Sequence, residues 1–133
     1  MATLLEDIKI ADSWIIEAME SSGYSLNSTI TSFKEIDRFF DDNTKKGKPK
    51  RKSVLAKFTG KIVFALGSYI GETIIKQYGG IWQTDDKDPQ GEINISVKMM
   101  DDSIIWPVQR VLKRLQNGTE DSIFVYGIGL KPQ

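Results

Sequence analysis

The stretch Lys61–Trp82, KIVFALGSYIGETIIKQYGGIW, decides the fold. Its apolar residues Ile62, Phe64, Ala65, Leu66, Tyr69, Ile70, Ile74, Ile75 and Tyr78 recur mostly three and four positions apart, the period of a helix. They cover most of the circumference, so this helix has to be covered on more than one side. Gly67 and Gly71 stand one turn apart. A glycine inside a helix costs about 1 kcal/mol against alanine, which predicts another backbone packed close against that face. Gly79-Gly80 supplies a left-handed stop, and Trp82 follows in extended chain. Glu72 is the polar exception between Ile70 and Ile74. A buried carboxylate must be paired, hydrogen-bonded or protonated. Either Glu72 works inside a pocket, or it accepts a backbone or tryptophan N–H and locks the helix in place.

Upstream, Ala2–Ser21 sets Leu4, Leu5, Ile8, Ala11, Ile15, Ala18 and Met19 on one face, with Glu6, Asp7, Lys9, Asp12 and Glu17 largely elsewhere. Ile10 and Trp14 form a second apolar pair that widens the face. Asn27, Ser28 and Thr29 offer N-cap oxygens for a helix from about Thr29 to Asp41, which carries Ile30, Phe33, Ile36, Phe39 and Phe40 inward and Lys34, Glu35 and Arg38 outward. Asp37 either faces solvent or binds a donor from the central helix or a loop. Lys45, Lys46, Lys48, Lys50, Arg51 and Lys52 make six of the eight residues from Lys45 to Lys52 basic. Gly47 and Pro49 favour a mobile, solvated loop over 43–53; the competing reading is an anion contact with nucleic acid, which lacks interleaved aromatics to stack bases. Ser53 caps the following helix, and Gly60 can bend or interrupt it.

Downstream, Ile81–Thr84 reads as a strand and Asp85–Gln90 as a turn. Glu92–Met99 alternates polar and apolar without a fault, the pattern of a half-buried strand. Met100–Ser103 makes a tight turn and Ile104–Trp106 a third strand, giving an antiparallel meander. Pro107 opens a helix with Val108, Val111, Leu112 and Leu115 as its stripe, Arg110, Lys113 and Arg114 outside, and Asn117-Gly118 as its end. Thr119–Leu130 mixes helix-start and strand signals and leans to helix. The fold class is therefore α+β in one domain, 1–133: N-terminal helices with a central buried helix, a three-stranded antiparallel sheet and a C-terminal helix.

Composition excludes several chemistries. With 18 basic and 18 acidic residues the net charge is zero, so no overall field attracts nucleic acid or a membrane. The absence of cysteine and histidine removes disulfides, thiolate catalysis, the commonest general base and the commonest transition-metal ligand. Asp86–Gly91 imitates the start of a calcium loop, but the acidic residue expected at its twelfth position falls on Val97 and Pro89 intrudes; a hairpin turn is the reading adopted, with no metal and no cofactor. No signal peptide and no membrane span are expected, which points to a cytoplasmic protein. A two-carboxylate hydrolase could pair Glu72 with Asp37 or the Asp85–Asp88 turn, yet nothing in the spacing selects that pair, so no catalytic residue is assigned.

Ser32-Phe33 with Ile36-Asp37, then Gly67-x-Tyr69-x-Gly71-Glu72, Gly79-Gly80-x-Trp82, and Pro107 opening a helix that ends in Asn117-Gly118 resemble a group of small, mostly uncharacterised bacterial domains with a GxYxGE…GGxW signature. The resemblance spans about two thirds of the chain and leaves the basic loop outside it. It implies a helical first half leading into a small sheet, with Asp37, Tyr69, Glu72 and Trp82 gathered in one polar-aromatic cluster. The expected function is non-enzymatic binding of a protein partner, immunity-like (toxin-neutralising) by analogy of protein type. The alternatives are a small-ligand site or enzyme at the Glu72 cluster, which requires an open cavity there, and nucleic-acid binding through the basic loop.

Overall fold

The structure, a computed structural model, describes residues 2–132; the two end residues of the expected domain lie outside them. Helix α1 (Leu4–Ser21) is opened by Thr3, whose hydroxyl accepts the Glu6 N–H, and buries Ile8, Ile15 and Met19. A short 3-10 turn (Ile30–Ser32), capped by Thr29, leads into α2 (Phe33–Asn43), whose Phe33, Ile36, Phe39 and Phe40 are buried. The basic stretch is not featureless. Thr44–Lys45 (β1) pairs antiparallel with Lys48–Pro49 (β2), a two-stranded ribbon inside the expected loop.

Ser53 caps α3 (Val54–Lys57), and the chain then breaks before α4 (Thr59–Tyr78). The interruption falls on Phe58, at φ −132° and ψ 40°, and not on Gly60, which lies within α4. Helix α4 is the spine of the molecule. Residues 65–71 are buried without exception, with α1, a later helix α5 (Pro107–Asn117) and strand β4 (Ser96–Lys98) all packed on it. Gly67 lets α5 approach: an added Cβ would fall 2.8 Å from the Val108 Cα. Gly71 has a side chain for its neighbour where a backbone was expected, because the Trp82 ring lies where its Cβ would be. Gly79 and Gly80 end the helix at φ 87° and 131°, conformations that disfavour any side chain.

The meander is β3 (Ile81–Gln83), β4 (Ser96–Lys98) and β5 (Ile104–Ile105) in that order, both pairs antiparallel. Trp82, Val97 and Ile105 are in register on the inner side, and Ile81, Lys98 and Ile104 on the outer. The middle strand is shorter than its alternation predicts. Both Ile93 and Asn94 donate their backbone N–H to the Gln90 carbonyl, which curls Glu92–Asn94 into a turn.

Helix α5 (Pro107–Asn117) starts on Pro107 and buries Val108, Val111, Leu115 and, against expectation, Arg114. A 3-10 turn (Gly118–Asp121) follows, and Ser122 caps α6 (Ile123–Gly129), so the ambiguous last segment is helical. One core cluster joins these elements. Among the described residues no helix is long and apolar enough to cross a membrane.

Candidate functional site

The four residues expected in one cluster separate into three groups. Glu72 lies one turn after Ser68 on α4, and its carboxylate is held from two directions. Lys9 Nζ of α1 approaches Oε1 at 2.6 Å, and the Trp82 indole N–H donates to Oε2 at 2.9 Å. Its side chain is 17% exposed. Both oxygens are engaged, so Glu72 ties α1, α4 and β3 together, with the Trp82 ring seated on Gly71.

Tyr69 points to another side of α4. Its hydroxyl meets Ser32 Oγ at 2.5 Å and accepts the Ser28 N–H at 2.9 Å, fastening the 3-10 turn to the central helix. Burial pushes the Tyr69 phenol above its ordinary range, and the Ser32 and Ser28 bonds pull it partly back.

Asp37 does not join Tyr69 or Glu72. Oδ1 accepts Arg114 Nε and the Ile123 N–H, each at 2.9 Å; Oδ2 accepts the Ser122 hydroxyl at 2.8 Å and the Phe124 N–H at 3.0 Å. Asp37 of α2 therefore caps α6 from outside it, where the first backbone N–H groups have no intrahelical partner. The Arg114 guanidinium, 1% exposed, also donates to the Asp37 carbonyl and to Asp41 Oδ1, and lies over the Phe40 ring. It bridges α2 and α5 through a buried ion pair. The expectation that Arg114 faces outward is thus corrected, as is the placement of Asp37 beside Glu72.

Asp12 enters the polar site unannounced. It is half-buried beside Glu72 and makes no hydrogen bond or ion pair among the described residues. Burial first, and the Glu72 charge second, push its pKa from 3.8 up to about 6; Lys9 and Lys76 pull the other way. The signal was present in the sequence. Ile8, Asp12, Ile15 and Met19 fall four, three and four apart, so Asp12 occupies the buried stripe itself.

No described group of three or more acidic residues could hold a metal ion. The carboxylates of the Asp85–Asp88 turn are engaged: Asp85 and Asp88 accept backbone N–H groups two residues on, and Asp86 accepts the Leu4 N–H at the start of α1.

The open space lies elsewhere. A groove of about 740 Å³ runs between α1, the first turns of α4, and α5. Ile10, Trp14, Phe64, Val108 and Leu112 form its apolar walls, with Ile93 at one margin. Ile10 is 67% exposed and faces this groove, while its pair-mate Trp14 lines the groove and also packs against the edge of the core. Lys61 Nζ sits 4.2 Å above the Trp14 ring at one rim; Asp7 and Glu92 are acidic rim groups. A second cavity of about 580 Å³ lies between Tyr78, Met99, Met100 and Leu130. Neither cavity is lined by Asp37, Tyr69, Glu72 or Trp82. No family model, curated protein or solved structure matches the chain.

Proposed function

We propose that this chain is a non-enzymatic protein-binding module, whose groove between α1, α4 and α5 receives a helical segment of another protein. The groove itself carries the reading: about 740 Å³ of apolar, half-open space beside an exposed isoleucine and a tryptophan. An amphipathic helix laid into such a groove buries anchors three and four positions apart. Charge narrows the occupant. The rim itself carries Asp7 and Glu92 against Lys61, and α1, one wall of the groove, adds the exposed Glu6, Glu17 and Glu20 beyond it, while its one lysine, Lys9, is paired with Glu72. The partner helix is expected to flank its apolar stripe with lysine and arginine.

The polar cluster argues against the alternative of an active site there. Both Glu72 oxygens are occupied, and the Trp82 ring fills the space over Gly71.

Gly60 supplies the test. It lines the groove, and a Cβ added there meets nothing within 4 Å. Gly60→Trp projects a ring into the groove while leaving the core contacts intact. Wild-type protein and Gly60→Trp are immobilised side by side and offered a bacterial lysate at low and high salt. The reading expects one stoichiometric protein that survives high salt on the wild type and is lost from a Gly60→Trp variant of unchanged circular dichroism. Equal capture by both, or capture by neither, removes it.

A further inference from the structure

We infer that the ribbon of residues 44–52 is a contact for the phosphate backbone of double-stranded nucleic acid, a function separate from the groove. Lys45, Lys46, Lys48, Lys50, Arg51 and Lys52 are all exposed, and none makes an ion pair or a side-chain hydrogen bond among the described residues. The acidic neighbours that could neutralise them are engaged elsewhere. Asp41 is bound to Arg114, and Asp42 accepts the Tyr24 hydroxyl at 2.6 Å.

The pairing sharpens the point. Lys45 and Lys48 are direct cross-strand partners. Like charges placed opposite each other destabilise a sheet pair, so the ribbon is held together against its own repulsion, and a polyanion relieves it. The ribbon is also well fastened. Thr44 Oγ1 donates to the Phe40 carbonyl at 2.6 Å, the Lys50 N–H to the Asn43 carbonyl at 2.7 Å, and Gly47 lies against the Gln116 carbonyl of α5. Six uncompensated cations are thereby presented together on a fixed base.

The chemistry selects the partner. Duplex nucleic acid offers a dense row of phosphates that lysine and arginine recognise by displacing counterions. A single strand would call for aromatic platforms, which the ribbon lacks. An anionic membrane surface would call for apolar anchors interleaved with the cations; Pro49 is the one apolar side chain between Lys45 and Lys52, and the exposed Val54 and Phe58 lie beyond the ribbon, on α3 and at its end. Recognition through phosphates alone is independent of base sequence.

Anisotropy of a short labelled DNA duplex, titrated with the full chain between about 50 and 200 mM salt, reads the proposal. Six phosphate contacts predict a log–log salt slope of about −5 and an affinity loss of about a thousandfold over that range. Lys45→Glu places a carboxylate opposite Lys48; it is expected to keep or raise the melting temperature while weakening duplex binding about tenfold and flattening the slope by about one. Lys50→Gln with Lys52→Gln repeats the test outside the paired strands, should the first variant fail to fold. Absence of duplex binding at the lowest salt, a slope near zero, or wild-type affinity in both variants overturns the proposal. Tighter binding to phosphatidylglycerol vesicles or to polyglutamate than to duplex overturns it as well, in favour of a membrane or an acidic protein.

Discussion

Asp12 and Arg114 show how much a single side chain can decide. Because Asp12 has its pKa raised from 3.8 to about 6, the folded state disfavours its ionised form; the penalty is fully present above about pH 6 and disappears as pH falls towards 3.8. Stability from this group therefore rises on acidification from pH 7 to pH 5. Glu35 has the opposite sign, held down to about 2 first by its Arg38 hydrogen bonds. Its contribution is lost only as pH falls below about 4.5 towards 2, below the pH 5–7 range in which Asp12 is read. Asp12→Asn is expected to stabilise the fold at pH 7 by about 1 kcal/mol, after discounting for its half-exposed position, and to flatten the pH 5–7 dependence in urea denaturation. An unchanged profile would show that Asp12 is not the titrating group. The Asp37–Arg114 pair predicts a different signature. Asp37→Ala leaves the buried Arg114 Nε–H and two backbone N–H groups without their acceptor, with only Asp41 and a backbone carbonyl still holding the guanidinium, at a cost of about 3 kcal/mol. Adding Arg114→Met should recover part of that loss, measured as a double-mutant cycle. Both residues were readable from spacing: Asp12 sits among Ile8, Ile15 and Met19, and Arg114 between Val111 and Leu115. What misled was side-chain type, since a charged residue on a buried stripe is normally assigned outward unless its partner, distant in sequence, is known.

At the scale of the element, α4 was legible because its apolar residues surround the axis and Gly79-Gly80 ends it. Its glycines are not equivalent. Gly60→Ala, with open space at the new Cβ, should stabilise the helix by about 0.5–1 kcal/mol. Gly71→Ala has to displace the Trp82 ring and strain its bond to Glu72; overpacking of this kind costs about 1–3 kcal/mol. Thermal melts of the two variants should move in opposite directions, and a common direction would contradict the packing described. The middle strand was over-read for a physical reason. Period-two alternation reports burial on one face, and Ile95, Val97 and Met99 do point inward, but Ile93 upstream is drawn into a turn by the Gln90 carbonyl and reaches no partner strand. Likewise the break before α4 falls on Phe58, whose type carries no breaking tendency as strong as that of the neighbouring glycine.

The whole molecule is neutral only in sum. The ribbon holds six of the 18 basic residues, leaving 12 against 18 acidic ones on everything else, a net of −6. Composition hides this separation; the order of residues shows the cations clustered, and the folded ribbon shows them unpaired. Replacing all six by glutamine should leave the fold intact, because no described hydrogen bond or ion pair uses those side chains. It should also abolish whatever rise in melting temperature added salt gives the wild type by screening their mutual repulsion. A collapse of the circular dichroism spectrum would mean that the ribbon's charge is structural. The cluster drawn together by resemblance was legible in part: Glu72 and Trp82 do meet, whereas Asp37 serves another helix pair, because proximity of two motifs in three dimensions is set by tertiary packing that no local pattern encodes. The three tryptophans also occupy three different environments, Trp14 in the groove under Lys61, Trp82 against Glu72, and Trp106 at 45% exposure. With Trp82 and Trp106 exchanged for phenylalanine, the protein becomes its own optical gauge: the emission of Trp14 moves to shorter wavelength when the groove is filled, and titrating candidate helices against that colour change ranks them without any label.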